Sequence, residues 1–179
     1  EGKCYAYWGL LPALVHVALP FASDRFLAML GFTVAVLFLT KLVLLLSKSS
    51  EPIPLRRSLP VLVSMVAVSM VPATAVVARI YEEAIGFGAG LGLAGLYYVI
   101  SGMDSVKAGG PALTRRIWGG ITLLSLAGLA RLPWLGVAGA AILYWLITVG
   151  RGVGLPNWKD LLTAAVPIVS ACLIAASAN

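Results

Sequence analysis

Few side chains in this sequence can move a proton, hold a metal or carry a charge. Nearly all of them stand within or between long apolar runs. The 179 residues include one histidine, seven Asp and Glu, and 13 Lys and Arg. His16 lies midway along an apolar segment, four residues after Pro12. Imidazole is the side chain that titrates nearest neutrality, so His16 is the one residue suited to a proton step, against the plainer role of hydrogen-bonded packing. Glu82 and Glu83 are the one adjacent acidic pair. Neighbouring helical positions point about 100° apart, so the two carboxylates do not easily address one site. Arg79 and Glu83 have the i, i+4 spacing of an exposed ion pair. With Glu82, Asp24, Arg25 and Arg131 they would form a charged mouth if they converged. Lys41 sits inside an apolar run, close enough to its end to snorkel.

Hydrolytic and metal-dependent chemistry finds little support. Such reactions need clustered His, Asp or Glu for ligation or proton transfer. The sequence has no DxxD, HExxH or GxSxG pattern, and no base is spaced to activate Ser64, Ser69, Ser101, Ser125 or Ser170. The glycine-rich run 86–92 lacks a Lys, which argues against a phosphate loop. Cys4 and Cys172 lie at opposite ends of the chain and form no CxxC. No metal and no particular cofactor is indicated.

The elements that must position these residues follow from composition. Hydrophobic residues make up 60% of the chain and charged residues 11%, with a mean hydropathy of +0.98. Twenty charged side chains cannot clothe a soluble domain of this size. This excludes a soluble enzyme, a nucleic-acid-binding domain and a disordered chain. No signal-peptide pattern precedes the first apolar run. The expected fold is all-α: a polytopic transmembrane helix bundle forming a single integral domain over 1–179, with the lipid bilayer as its partner. Crossing a core of about 30 Å takes roughly 20 helical residues. The apolar runs predict seven spans: 5–21, 26–46, 59–78, 84–101, two within 117–150 divided at Arg131-Leu132-Pro133, and 161–177. If 117–150 is instead a re-entrant pair, the count is six. A corner at Tyr81-Glu82-Glu83 and a loop over 102–116 are expected between spans.

The excess of six positive charges falls in short clusters between runs. That pattern orients membrane segments and does not point to nucleic acid. With the N-terminus inside, inner segments carry Lys3, Lys48, Arg56, Arg57, Lys107, Arg115, Arg116, Arg151 and Lys159. Outer loops carry Arg25, Arg79 and Arg131. A weak 3+1+3 arrangement is also legible (5–79, a linker helix over 84–101, then 117–177), from the Trp-Gly pairs at 8 and 118 and the Val-Pro pairs at 71 and 166.

Small and helix-breaking residues supply the rest. Gly88, Gly92 and Gly95 recur at helical spacing and predict close helix packing. Gly136 and Gly139, beside Ala140, suggest a lesser surface of the same kind. Pro72 and Pro167 each remove a backbone donor inside a span, freeing a carbonyl that either binds a solute or is re-satisfied by a neighbour. Thr74 stands ready to use or fill the first of these breaks. The tryptophans and Tyr81, Tyr97, Tyr98 and Tyr144 fall mostly near expected span ends, which reads as interfacial anchoring. Two functions fit. One is a transporter or channel passing a small solute or ion between broken helices, with His16, Lys41, Pro72, Thr74, Arg79, Glu82, Glu83, Arg131 and Pro167 along the path. The other is a non-catalytic structural or assembly subunit of a larger membrane complex, built from copies of itself or with partner subunits.

Overall fold

A computed structural model describes residues 10–46, 80–152 and 156–177. The regular structure in them is entirely helical. The helices are α1 (Leu10–Ala18), α2 (Asp24–Leu46), α3 (Ile80–Lys107), α4 (Arg115–Ala130), α5 (Pro133–Gly152) and α6 (Trp158–Ser177). Four of them, α2, α3, α5 and α6, are long and apolar enough to cross a membrane. The chain therefore has the helical fold of an integral membrane protein. At 16 residues, α4 reaches only about 24 Å. The expected third span, with Pro72, Thr74 and Arg79, lies outside the described residues.

Hydroxyl groups inside these apolar helices are consumed locally. Thr33, Thr40, Thr122, Ser125, Thr148 and Thr163 each donate to the carbonyl four residues back, at 2.7–3.0 Å. The bond hides the polar atom along its own helix, so the residue costs little in an apolar setting.

Two expectations need correction along α3. The Tyr81-Glu82-Glu83 corner is helical, forming part of the first turn of α3. At the other end the helix continues through Gly102 to Lys107, so the expected 102–116 loop shrinks to 108–114. Packing overrides the weak local propensity of Gly102. A Cβ there would stand 2.6 Å from Ile117 Cγ1, and Met103 and Val106 are buried. The chain then turns at Gly109, whose φ of 85° suits glycine. Thr114 caps α4 by accepting a hydrogen bond from the Ile117 amide at 3.2 Å.

Glycines set the helix order. A Cβ on Gly31 of α2 would lie 2.5 Å from the Gly86 carbonyl carbon, and one on Gly90 would lie 2.6 Å from the Gly31 carbonyl oxygen. Further along, Phe38 meets Tyr97 and Tyr98 at centroid distances of 5.7 and 5.8 Å. Contacts that advance together on both helices mean that α2 and α3 run parallel. In contrast, Gly95 faces Gly120 and Leu124, while Gly102 faces Thr114 and Ile117. Thus α3 and α4 are antiparallel. The chain reverses again at Arg131-Leu132, where the sequence expects the division, and α5 returns beside α4. Pro133 opens α5, a position where its missing N–H costs nothing. α6 starts at the same end as α4.

The core lies among α3, α4, α5 and α6. Val99, Met103, Ile117, Ile121, Leu124, Trp145 and Val149 are its large members. Trp145 departs from the interfacial expectation: it is fully buried, and its Nε1 donates to the Ala112 carbonyl at 2.7 Å. Trp134 is also drawn inward, against the glycine face of α3. A buried indole is tolerable when its N–H finds an acceptor, and the α3–α4 loop offers one to Trp145.

Candidate functional site

The helix directions gather charge at one end of the bundle. The C-terminal parts of α2, α3 and α5 meet the N-termini of α4 and α6 there. Lys41, Lys107, Arg115, Arg116, Arg151 and Lys159 all fall at or near this end, and all are exposed. Asp104 and Asp160 are the acidic residues nearby. The opposite end holds Arg25, the helical positions of Asp24, Glu82 and Glu83, and the hairpin residue Arg131.

At the basic end a groove of about 400 Å³ opens on the surface of α3 and α4, lined by Tyr98, Arg115, Arg116, Trp118, Gly119, Thr122 and Leu123. Its floor is apolar and aromatic, with the two arginines at its α4 end. Local structure explains this shape. Gly119 projects no side chain and has nothing within 4 Å of where a Cβ would stand. Trp118 forms a fixed wall, because its Nε1 donates to the Thr163 carbonyl of α6 at 3.2 Å. That carbonyl is the one Pro167, four residues on, cannot engage. The break at Pro167 is therefore filled by a neighbouring helix. On the far side of Tyr98 the aromatic cluster continues through Phe38 and Tyr97. The Lys41 ammonium lies over these two rings, 5.2 and 5.6 Å from their centroids.

Of the nine residues expected along a path, His16, Lys41, Arg131 and Pro167 have described side chains. His16 is half-buried on α1. Lys41 lies on the outer side of α2, over its aromatic neighbours. Pro167 is half-buried on α6, and its break faces Trp118. Arg131 is half-buried at the far end, where its backbone N–H closes α4 on the Ala127 carbonyl at 2.9 Å. Its side-chain stem passes Gly88: a Cβ on that glycine would stand 3.5 Å from Arg131 Cγ and 3.1 Å from Trp134 Nε1. Gly92 lies against the six-membered ring of the same indole. Of the candidates, Arg131 and Gly88 are thus brought together, and Lys41 lies toward the other end of the bundle.

The groove was not legible beforehand. Arg115 and Arg116 read as topology signals and Trp118 as an anchor. A signal was nonetheless present, since the spacing 115, 116, 119, 122, 123 marks one side of a helix. Among the described residues no three His, Cys, Asp or Glu side chains come together as a metal site. No family model, curated protein or solved structure matches the chain.

Proposed function

We propose that this chain is a non-catalytic subunit of a membrane assembly, and that another subunit's membrane helix docks on the outer face of α5. The observation that carries the reading is a contrast between glycines. Gly31, Gly86, Gly90, Gly92, Gly95 and Gly120 each meet a neighbour where a Cβ would stand, whereas Gly136, Gly139 and Gly150 on α5 have nothing within 4 Å. At the six positions of the first group, glycine is where a helix or its side chain approaches. Lipid tails gain nothing from exposed small residues, but a second helix gains close packing. Gly136, Gly139 and Ala140 make that surface, flanked by exposed Leu143 and Ile147. The polar groups at depth give supporting weight, since hydroxyls and the Pro167 break are used within the bundle. In mild detergent the purified chain should migrate as a complex on native gels. Gly139→Leu should release it without unfolding it. A lone chain in the wild type, or a folded Gly139→Leu variant that still migrates as the complex, would overturn the reading.

Topology belongs to the same proposal. We infer seven spans with the N-terminus inside, the basic end of the bundle facing the cytoplasm. Parallel α2 and α3 support this, because two neighbouring membrane helices of the same direction need a return crossing between them. Cysteine labelling from each side at Lys107 and Leu132 should give opposite accessibility.

Passage of a small solute or ion is the second reading, favoured by the half-buried His16 and Arg131. Liposomes holding the protein should then show a flux that His16→Ala or Arg131→Gln lowers. No flux across a broad solute panel sinks this reading alone.

A further inference from the structure

The groove at the start of α4 matches a particular ligand chemistry. Gly102 of α3 packs against Thr114 and Ile117, so α4 begins level with Gly102. That is five residues, or about 8 Å, short of the end of α3 at Lys107. Arg115 and Arg116 are thereby set back toward the apolar part of the bundle, beside α3. From there the lining descends α4 through Trp118 and Gly119 to Thr122 and Leu123, a distance of about 12 Å. Tyr98 closes the other side. No carboxylate lines the groove. Two arginine side chains bordering an apolar trough suit an amphiphile with an anionic head and a hydrocarbon tail. Guanidinium is the side chain best shaped for a phosphate. Tryptophan and tyrosine lie at the level where head and tail meet.

We propose that this groove binds one anionic phospholipid, with its phosphate at Arg115 and Arg116 and an acyl chain along Trp118, Gly119 and Leu123. The site is built in two senses. The Trp118 ring is held by its bond to Thr163, so the wall stands before the lipid arrives. The trough exists because residue 119 is glycine. A diffuse attraction of anionic lipid to the basic end would need neither feature. The six cations there attract such lipids generally; of them, Arg115 and Arg116 line this cleft.

The proposal separates from general attraction by filling the cleft without touching charge. Full-length protein is reconstituted in nanodiscs of mixed phosphatidylglycerol and phosphatidylcholine, extracted gently, and weighed by native mass spectrometry. Wild type should retain one phosphatidylglycerol in preference to phosphatidylcholine. Arg115→Gln with Arg116→Gln should lower that retention about tenfold or more. Gly119→Leu, which meets open space in the fold, should lower it comparably with every arginine present. Lys159→Gln, at the same end but outside the groove, should leave it unchanged. Melting of each variant in detergent, followed by circular dichroism, identifies any that fail to fold. Equal retention of both lipids by wild type overturns the proposal. So does full retention by a folded Gly119→Leu, or an equal loss in Lys159→Gln, either of which marks the binding as nonspecific electrostatics.

Discussion

The Trp118 indole of α4 donates to the Thr163 carbonyl of α6 at 3.2 Å, the carbonyl that Pro167 leaves without its helical donor. The missing N–H of Pro167 is replaced by an indole N–H 45 positions away from the carbonyl that it serves. In hydrocarbon such a repair matters, since water is not there to do it. Interhelical hydrogen bonds in membrane proteins contribute about 0.6–1.7 kcal/mol. Trp118→Phe should therefore destabilise the bundle by about 1 kcal/mol, read from unfolding in sodium dodecyl sulfate by circular dichroism. In a Pro167→Ala background the helix supplies its own donor, and the same substitution should cost less. Equal costs in the two backgrounds would refute the link.

The glycines of α3 and α5 give a ranked series. A Cβ at Gly95 meets the Gly120 carbonyl oxygen at 2.7 Å, which is backbone and cannot rotate aside. At Gly92 the obstacle is the Trp134 ring, a side chain. At Gly139 there is none. Overpacking typically costs about 1–3 kcal/mol. Gly95→Ala should be the most destabilising, Gly92→Ala intermediate and rescued by Trp134→Leu, and Gly139→Ala close to neutral for the isolated chain. The same unfolding assay checks the order.

Lys41 should behave as a surface residue with an aromatic partner. Its ammonium lies 5.2 Å from the Phe38 ring centroid, and exposed pairs of this kind are worth about 0.5–1 kcal/mol. Lys41→Gln should cost no more than that, and the cost should vanish in Phe38→Leu with Tyr97→Leu. A double-mutant cycle measures the coupling directly.

Trp145 should be the least replaceable aromatic residue. It is fully buried and ties α5 to the α3–α4 loop through Ala112. Trp145→Ala should cost about 3–5 kcal/mol. Trp145→Phe keeps much of the volume but strands the Ala112 carbonyl, at about 1–3 kcal/mol. Hydrogen exchange at 108–114 should rise in both variants.

What the sequence made legible were features decided by composition over many residues. The apolar runs placed α2, α5 and α6 nearly to their ends, and Arg131-Leu132-Pro133 marked the α4–α5 reversal because a charge beside a proline rarely continues a membrane helix. Features decided by a distant neighbour stayed hidden. Gly102 looks like a loop residue until Ile117 is known to lie against it. Trp145 looks like an anchor until Ala112 supplies its acceptor. The periodicity of Gly88 and Gly92 foretells a close approach, but not that Trp134 fills it. The Arg115–Leu123 groove depends on which side of α4 stays uncovered, and no local pattern states that.

The shared direction of α2 and α3 has a consequence for the order of assembly. Helices α3, α4 and α5 are joined by short turns and meet as hairpins, so each finds its neighbour soon after synthesis at little loop-closure cost. α2 cannot do so. Its partner surface, Gly86 and Gly90, is made only after residues 47–79 have followed it out. The first long helix among the described residues is therefore among the later ones to dock, and until then Gly31 is an open seat on which a wrong helix can settle.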